Sequence, residues 1–185
     1  MSVRKKVGNG LAVIAVATSL GTGVVKMLEG RTLESHLDSG GVPTICDGAI
    51  RNKDGTPVKL GQTKTDDECD ELLHGNYGQA LRHVYNKTEI ELSPYQLAGL
   101  GSFTFNVGPG AYDKSTLLKL LNQGHVLAAC DQLRRWTRIR VQSGSVRDMR
   151  DGVKDGMMDC KIKENKCYGL VTRREKEREM CLKVK

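Results

Sequence analysis

Two different patterns of apolar and polar positions divide the chain near residue 26. Residues 7–25, VGNGLAVIAVATSLGTGVV, are 19 uncharged residues without an amphipathic period, set between Arg4-Lys5-Lys6 and Lys26. Beyond them helix-like stretches dominate. Thr65-Asp66-Asp67-Glu68 has the spacing of a capping box, in which a hydroxyl and a carboxylate three residues apart satisfy each other's backbone N–H groups. Leu72, Leu73, Tyr77, Leu81 and Val84 then supply an apolar helical face. Ser93-Pro94-Tyr95-Gln96 repeats the signal, with proline at the first helical position, where no N–H donor is needed. Ser115 predicts a cap for a helix over 116–122, residues 126–138 a further helix carrying Trp136, and Thr172-Arg173-Arg174-Glu175 the start of a last one.

Strand-like alternation is confined to the front of the chain. A helix over residues 24–30 would end at Gly30, a residue type suited to a helix C-terminus. Residues 37–62 are rich in Gly, Asp and Pro. Within them Val42-Pro43-Thr44-Ile45-Cys46 and Thr56-Pro57-Val58-Lys59-Leu60, with the turn signal Asp54-Gly55 between, predict a small β-hairpin region. Segment 141–168 is polar, holds several glycines and reads as a surface insertion. In it Cys160 and Cys167 bracket six residues, which suits a small disulfide-closed hairpin. The sum is an α+β domain, mainly helical with one small sheet.

Composition narrows the class. At 185 residues, 38% apolar and 28% charged, the chain is one globular body large enough for a real core. The net charge is +7, with basic residues dense at 134–140 and 173–178, which suits either an anionic partner or a solvated basic surface. Arg134-Arg135 and Arg173-Arg174 have acidic neighbours and no interleaved aromatics, so a nucleic-acid partner is not expected. The six cysteines are Cys46, Cys69, Cys130, Cys160, Cys167 and Cys181. None has paired C-x-x-C spacing, so no metal site is expected. An even count behind an apolar N-terminus favours disulfides over free thiols, and six cysteines allow 15 pairings.

The opening run admits three readings. As a helix it would measure about 28 Å, close to the roughly 30 Å hydrocarbon layer. Its four glycines, with Asn9, Thr18, Ser19 and Thr22, make insertion marginal, since each strong hydrophobe contributes only a few tenths of a kcal/mol. The basic cluster before it would stay cytoplasmic. Ala15-Val16-Ala17 has the form of a signal-peptide cleavage site, but the apolar region before it is short. A buried helix of a protein core is the third reading.

Just past the run stand Glu29, Asp38 and Thr44, spaced Glu-x8-Asp-x5-Thr. Glycosidic hydrolysis needs one carboxylic acid to protonate the leaving oxygen and a second carboxylate to activate or face a water. A hydroxyl such as that of Thr44 can hold the water. Spacing alone is weak support, because Glu34, Asp47 and Glu68 are rival carboxylates.

Longer strings add specificity. Leu28-Glu29-Gly30 with Asp38 and Thr44, then GSFTFNVGPG (101–110), STLLKLLNQG, ACDQLRRWT and GLVTRREKEREMCL, occur in this order. In these strings the chain resembles the phage lysozymes of glycoside hydrolase family 24, and in particular the lambdoid signal-anchor-release endolysins. The resemblance covers most of residues 24–140 and 169–182. It implies a lysozyme-like α+β fold, a mainly helical lobe with a small antiparallel β-hairpin region at the active-site cleft. It implies Glu29 as general acid, Asp38 as the water-activating or cation-stabilising carboxylate, Thr44 as its water-positioning partner and Asn106 as a substrate-binding residue. The implied reaction is inverting hydrolysis, without a cofactor, of the β-1,4 bond between N-acetylmuramic acid and N-acetylglucosamine in peptidoglycan. A lytic transglycosylase, which needs no water-activating carboxylate, and a non-catalytic wall-binding module are the alternatives. The intact Glu-Asp-Thr set disfavours both.

The same resemblance implies the disulfides Cys46–Cys69 and Cys130–Cys181, leaving Cys160 and Cys167 to each other. It implies a monomer, with residues 1–26 as a signal-anchor-release segment and 27–185 as the catalytic domain, 141–168 being an insertion within it. Residues 7–25 would tether the chain transiently to the host inner membrane, facing the periplasm, before release into it. While tethered, Glu29 sits only four residues past the anchor, too near the membrane to join Asp38 and Thr44 around a sugar chain.

Overall fold

The computed structural model describes residues 10–38, 41–141 and 153–184. These form two compact units. Residues 1–9 of the expected anchor segment, Ser39-Gly40 and residues 142–152 of the expected 141–168 insertion lie outside the described residues.

The first unit joins residues 10–25, 74–135 and 174–184. It is helical throughout: most of α1 (Gly10–Glu29), the larger part of α2 (Asp66–Lys87), then α3 (Pro94–Val107), α4 (Pro109–Asp113), α5 (Thr116–Asn122), α6 (Val126–Gln132) and most of α7 (Gly169–Leu182). Its core is built on α3, where every residue from Gln96 to Thr104 is buried. Tyr77 and Leu81 of α2, with Leu117, Leu121 and Leu133, are fully buried in the same unit. Tyr112 is too; its hydroxyl meets Thr88 Oγ1 at 2.9 Å, and burial pushes its phenol up to about 12.

Local signals account for several helix starts. Thr65 and Glu68 exchange hydrogen bonds of 2.8 and 3.2 Å ahead of α2, and Ser93 and Gln96 do the same ahead of α3 at 2.9 and 3.2 Å. Ser115 Oγ accepts from Leu118 N at 3.1 Å at the start of α5. Two expectations are corrected. The helix expected over 126–138 ends at Gln132 and tightens into a 3-10 turn, Leu133–Arg135, because residues 138–140 are captured by strand pairing. The last helix begins at Gly169 rather than at Thr172: Leu170 N already bonds to Cys167 O, directly after a disulfide-bonded residue.

The second unit joins residues 26–73 and 136–173. Here β1 (Thr32–Leu37) pairs antiparallel with β2 (Pro43–Cys46), in the register Thr32↔Cys46, His36↔Thr44 and Leu37↔Pro43. The partner of β2 is therefore residues 32–37, not 56–60. The latter stretch forms a smaller loop, closed by a bridge from Pro57 to Arg51 and a turn at Gly55, where φ is +85°. Ile45, Cys46, Ala49, Val58, Cys69 and Leu72 make its apolar core. A second antiparallel sheet is ordered β3 (Arg138–Arg140), β5 (Met157–Asp159), β4 (Val153–Lys154). Cys160–Cys167 closes not a hairpin but a loop containing the 3-10 turn Lys163–Asn165.

Disulfides join Cys46 to Cys69 in the second unit, Cys130 to Cys181 in the first and Cys160 to Cys167 in the second.

Candidate active site

Glu29, Asp38 and Thr44 all belong to the second unit. Glu29 is the last residue of α1, and Gly30 follows in the left-handed conformation (φ +70°) that ends a helix without steric cost. Two residues later β1 begins, so the chain passes directly from the Glu29 helix into the hairpin.

Asp38 stands one residue past β1, where the hairpin turns. Its N–H donates to Val42 O (2.9 Å), its carbonyl accepts from Gly41 N (3.1 Å), and its Oδ1 accepts from Val42 N (2.8 Å). The last bond fixes the orientation of an otherwise exposed carboxylate. Thr44 lies on β2 and is 4% exposed. Its hydroxyl donates to the His36 carbonyl at 3.4 Å and lies 3.5 Å from His36 Nε2.

His36 went unnoticed in the sequence. Strand pairing sets it directly opposite Thr44, and its Nδ1 lies 3.2 Å from Thr32 Oγ1. The signal that would have found it is the register of β1 on β2, hidden because β1 has no alternation of apolar residues.

Behind the hairpin lies an ionic cluster that spacing also concealed. Arg31 Nη2 donates to Asp47 Oδ2 and to Asp70 Oδ1, each at 2.6 Å, while Arg31 Nε reaches Asp47 Oδ1 at 3.4 Å. Arg31 Nη1 adds bonds to the carbonyl and side chain of Asp66, both at 3.2 Å. Lys26 Nζ meets Asp70 Oδ1 at 2.6 Å. The Asp47 hydrogen bond foremost raises the Arg31 pKa; the Lys26 bond, then that from Arg31, lowers that of Asp70.

Asn106 belongs to the first unit, near the end of α3. Its Oδ1 accepts a short hydrogen bond from Arg174, which also pairs with the fully buried Glu177. Glu177 in turn accepts from Ser102 Oγ at 2.9 Å, and the Arg174 guanidinium lies 5.1 Å from the Phe103 ring centre. Arg134 is engaged as well, donating twice to Glu175 at 2.7 and 2.9 Å. Among the described residues no group of three or more His, Cys, Asp or Glu side chains could hold a metal ion.

A helix that runs directly into a two-stranded antiparallel hairpin, in a chain otherwise mainly helical, matches the fold of a known phage lysozyme. The phage lysozyme family profile matches residues 26–177. The SAR-endolysin of Enterobacteria phage P21 is 34% identical over 181 residues, covering 98% of this chain and 93% of that one. That of Escherichia phage 933W is 35% identical over 150 residues, covering 80% and 75%. Among solved structures, a P22 lysozyme variant superimposes with a TM-score of 0.62 at 28% identity, covering 89% of this chain and 97% of that one. An endolysin from Escherichia coli O157:H7 phage FAHEc1 shares the fold at a TM-score of 0.68 and 24% identity, covering 97% and 94%. The chain belongs to the phage lysozyme family, a family of lytic enzymes of glycosidase type.

Proposed function

We propose that the protein is a muramidase that hydrolyses the β-1,4 bond between N-acetylmuramic acid and N-acetylglucosamine, lysing the bacterial host when phage are released. The observation that supports it most is the direct run from Glu29, at the end of α1, into a hairpin with Asp38 at its turn and Thr44 opposite His36. In this reading Glu29 protonates the glycosidic oxygen as the bond breaks. Asp38, exposed at the turn, takes the proton of a water attacking the opposite face of the sugar, and the Thr44 hydroxyl orients that water. Asn106 is assigned to substrate binding on family resemblance alone. The protein acts as a monomer on peptidoglycan.

The N-terminal segment 1–26 is assigned as a signal-anchor-release element and 27–185 as the catalytic domain. Two findings support the tether: the relatives' shared description as SAR-endolysins, and a stretch, Gly10–Leu28, long and apolar enough to cross a membrane. In the tethered state the protein faces the periplasm and is inactive; release from the inner membrane activates it.

Glu29→Gln tests the reading. The variant should fold and lose hydrolysis of purified peptidoglycan, and wild-type rates from it would refute the assignment. Products of the active enzyme should carry reducing-end N-acetylmuramic acid, released with inverted anomeric configuration. Anhydro sugars by mass analysis would instead mark a lytic transglycosylase.

A further inference from the structure

The Arg31 cluster does more than neutralise charge. Asp70 Oδ1 receives both Lys26, one turn before Glu29, and Arg31, two residues after it, each at 2.6 Å. The backbone on either side of Glu29 is thus tied to one carboxylate oxygen. Arg31 also grips Asp47 through Nε and Nη2, a two-point contact that a lysine ammonium cannot reproduce. Asp47 is 2% exposed, so without its guanidinium it would be a buried, uncompensated charge.

What brings the two carboxylates together is covalent. Asp47 follows Cys46 and Asp70 follows Cys69, and those cysteines are bonded with their Cα atoms 5.2 Å apart. Cys46 itself holds φ at +59°, a left-handed conformation that a non-glycine residue keeps only when its surroundings enforce it. The disulfide, the strained turn and the two aspartates therefore make one preformed socket, and Arg31 is the plug.

We propose that Arg31 is a positioning residue for Glu29: seated in the Asp47–Asp70 socket that the Cys46–Cys69 disulfide assembles, it fixes the end of α1 and so the place from which Glu29 delivers its proton. The proposal rests on the reading of Glu29 as general acid. Displacing a reacting group by about 1 Å can cost up to about a hundredfold in rate, so the effect should appear in kcat.

The test compares Arg31→Lys with wild type on soluble glycan strands. The lysine keeps the charge and loses the two-point grip. It should lower kcat by about ten- to a hundredfold with KM within about twofold. The alkaline limb of the pH–rate profile, which in this reading reports the acid, should shift, because the acid's surroundings change with its position. Asp70→Asn, at a half-exposed position, should move kcat and the limb in the same direction by less. Wild-type kcat in Arg31→Lys overturns the proposal. So does a fall in melting temperature accompanied by an unmoved pH limb, the mark of a purely structural role. Glu29→Gln assayed alongside separates the two readings. Activity in that variant refutes the role of Glu29, whereas its inactivity beside a fully active Arg31→Lys enzyme refutes only the positioning role.

Discussion

Helices α1 and α3 are both apolar and both carry glycines, yet they meet different surroundings. Along α3 nine successive residues, Gln96 to Thr104, are buried on every side. Of the apolar stretch in α1 only 22% is buried, with Leu11, Val16 and Met27 exposed by 82%, 49% and 66%. A helix that is apolar all round belongs inside a protein or a bilayer. In α3 the protein itself supplies that environment. In α1 it buries one stripe, Ala17, Gly21, Thr22 and Val25, half-covers Val13, Ile14, Leu20 and Val24, and leaves Leu11 and Val16 exposed.

The glycines record the same contrast. A Cβ on Gly99 of α3 would lie 2.7 Å from the Glu177 carbonyl oxygen and 2.9 Å from Met180 Cβ, so two helices meet there without room for a methyl group. On α1, a Cβ at Gly21 would lie 1.7 Å from the Tyr77 hydroxyl, which is itself held by a 2.8 Å bond to Ala98 O. Gly23, two residues on, has nothing within 4 Å. In the sequence both glycines dilute the apolar run alike; in the fold, of the two, only Gly21 meets a side chain with no room for a Cβ.

Gly99→Leu should break the α3 side of this comparison most severely. Overpacking against backbone should cost about 3 kcal/mol or more, seen as insoluble expression or a collapsed melting temperature; a well-folded variant would show that the contact gives way. Gly21→Leu should cost about 1–3 kcal/mol by forcing α1 off Tyr77. Chemical denaturation of the detergent-free protein measures it, and an unchanged midpoint would mean that α1 is not packed there. Gly23→Leu should leave that midpoint within about 0.5 kcal/mol. It should nevertheless raise the membrane-bound fraction on cell fractionation and delay lysis, since leucine favours insertion where glycine does not. Equal fractionation of the Gly23 variant and wild type would detach the glycine content of α1 from release.

The smallest effect concerns the polar tie at the end of α1, where Lys26 and Arg31 share Asp70. Lys26, then Arg31, holds the Asp70 carboxyl below its ordinary value of 3.8. Its contribution to stability is therefore full above that value and lost as pH falls through the lower folded value. Wild type should lose melting temperature more steeply than Asp70→Asn in that acid range. Parallel curves would show that the tie is spent on solvent.

Signals legible in the sequence were those made within a few residues. The boxes at Thr65 and Ser93 and the cap at Ser115 each need only a side chain three positions from a backbone N–H, and the helices begin there. Strand β1 is not legible because TLESHL carries only two apolar residues, Leu33 and Leu37, both exposed, and its partner is fixed by a hairpin register that propensity does not encode. Residues 133–138 read as the continuation of a helix, but the helix ends at Gln132 and Arg138–Arg140 pairs with β5, some 20 positions on. At the site, Glu29, Asp38 and Thr44 stood out by spacing together with family likeness. Asp47 and Asp70 lie 16 and 39 positions beyond Arg31, and the cross-link beside the two aspartates brings them to one point.

The order of the cysteines has a bearing on biogenesis. Cys46 and Cys69 are consecutive along the chain, whereas Cys130 must pass over Cys160 and Cys167 to reach Cys181. A chain that meets an oxidant from its N-terminus onward offers Cys46 its native partner first, but offers Cys130 a wrong one. The Cys46–Cys69 bond is then self-sorting, while Cys130–Cys181 and Cys160–Cys167 form by thiol–disulfide exchange wherever Cys130 has paired first with Cys160. Peptide maps of the oxidising chain should show a transient Cys130–Cys160 species that an isomerase clears. The yield of correctly paired chain would then depend on how fast that species reshuffles.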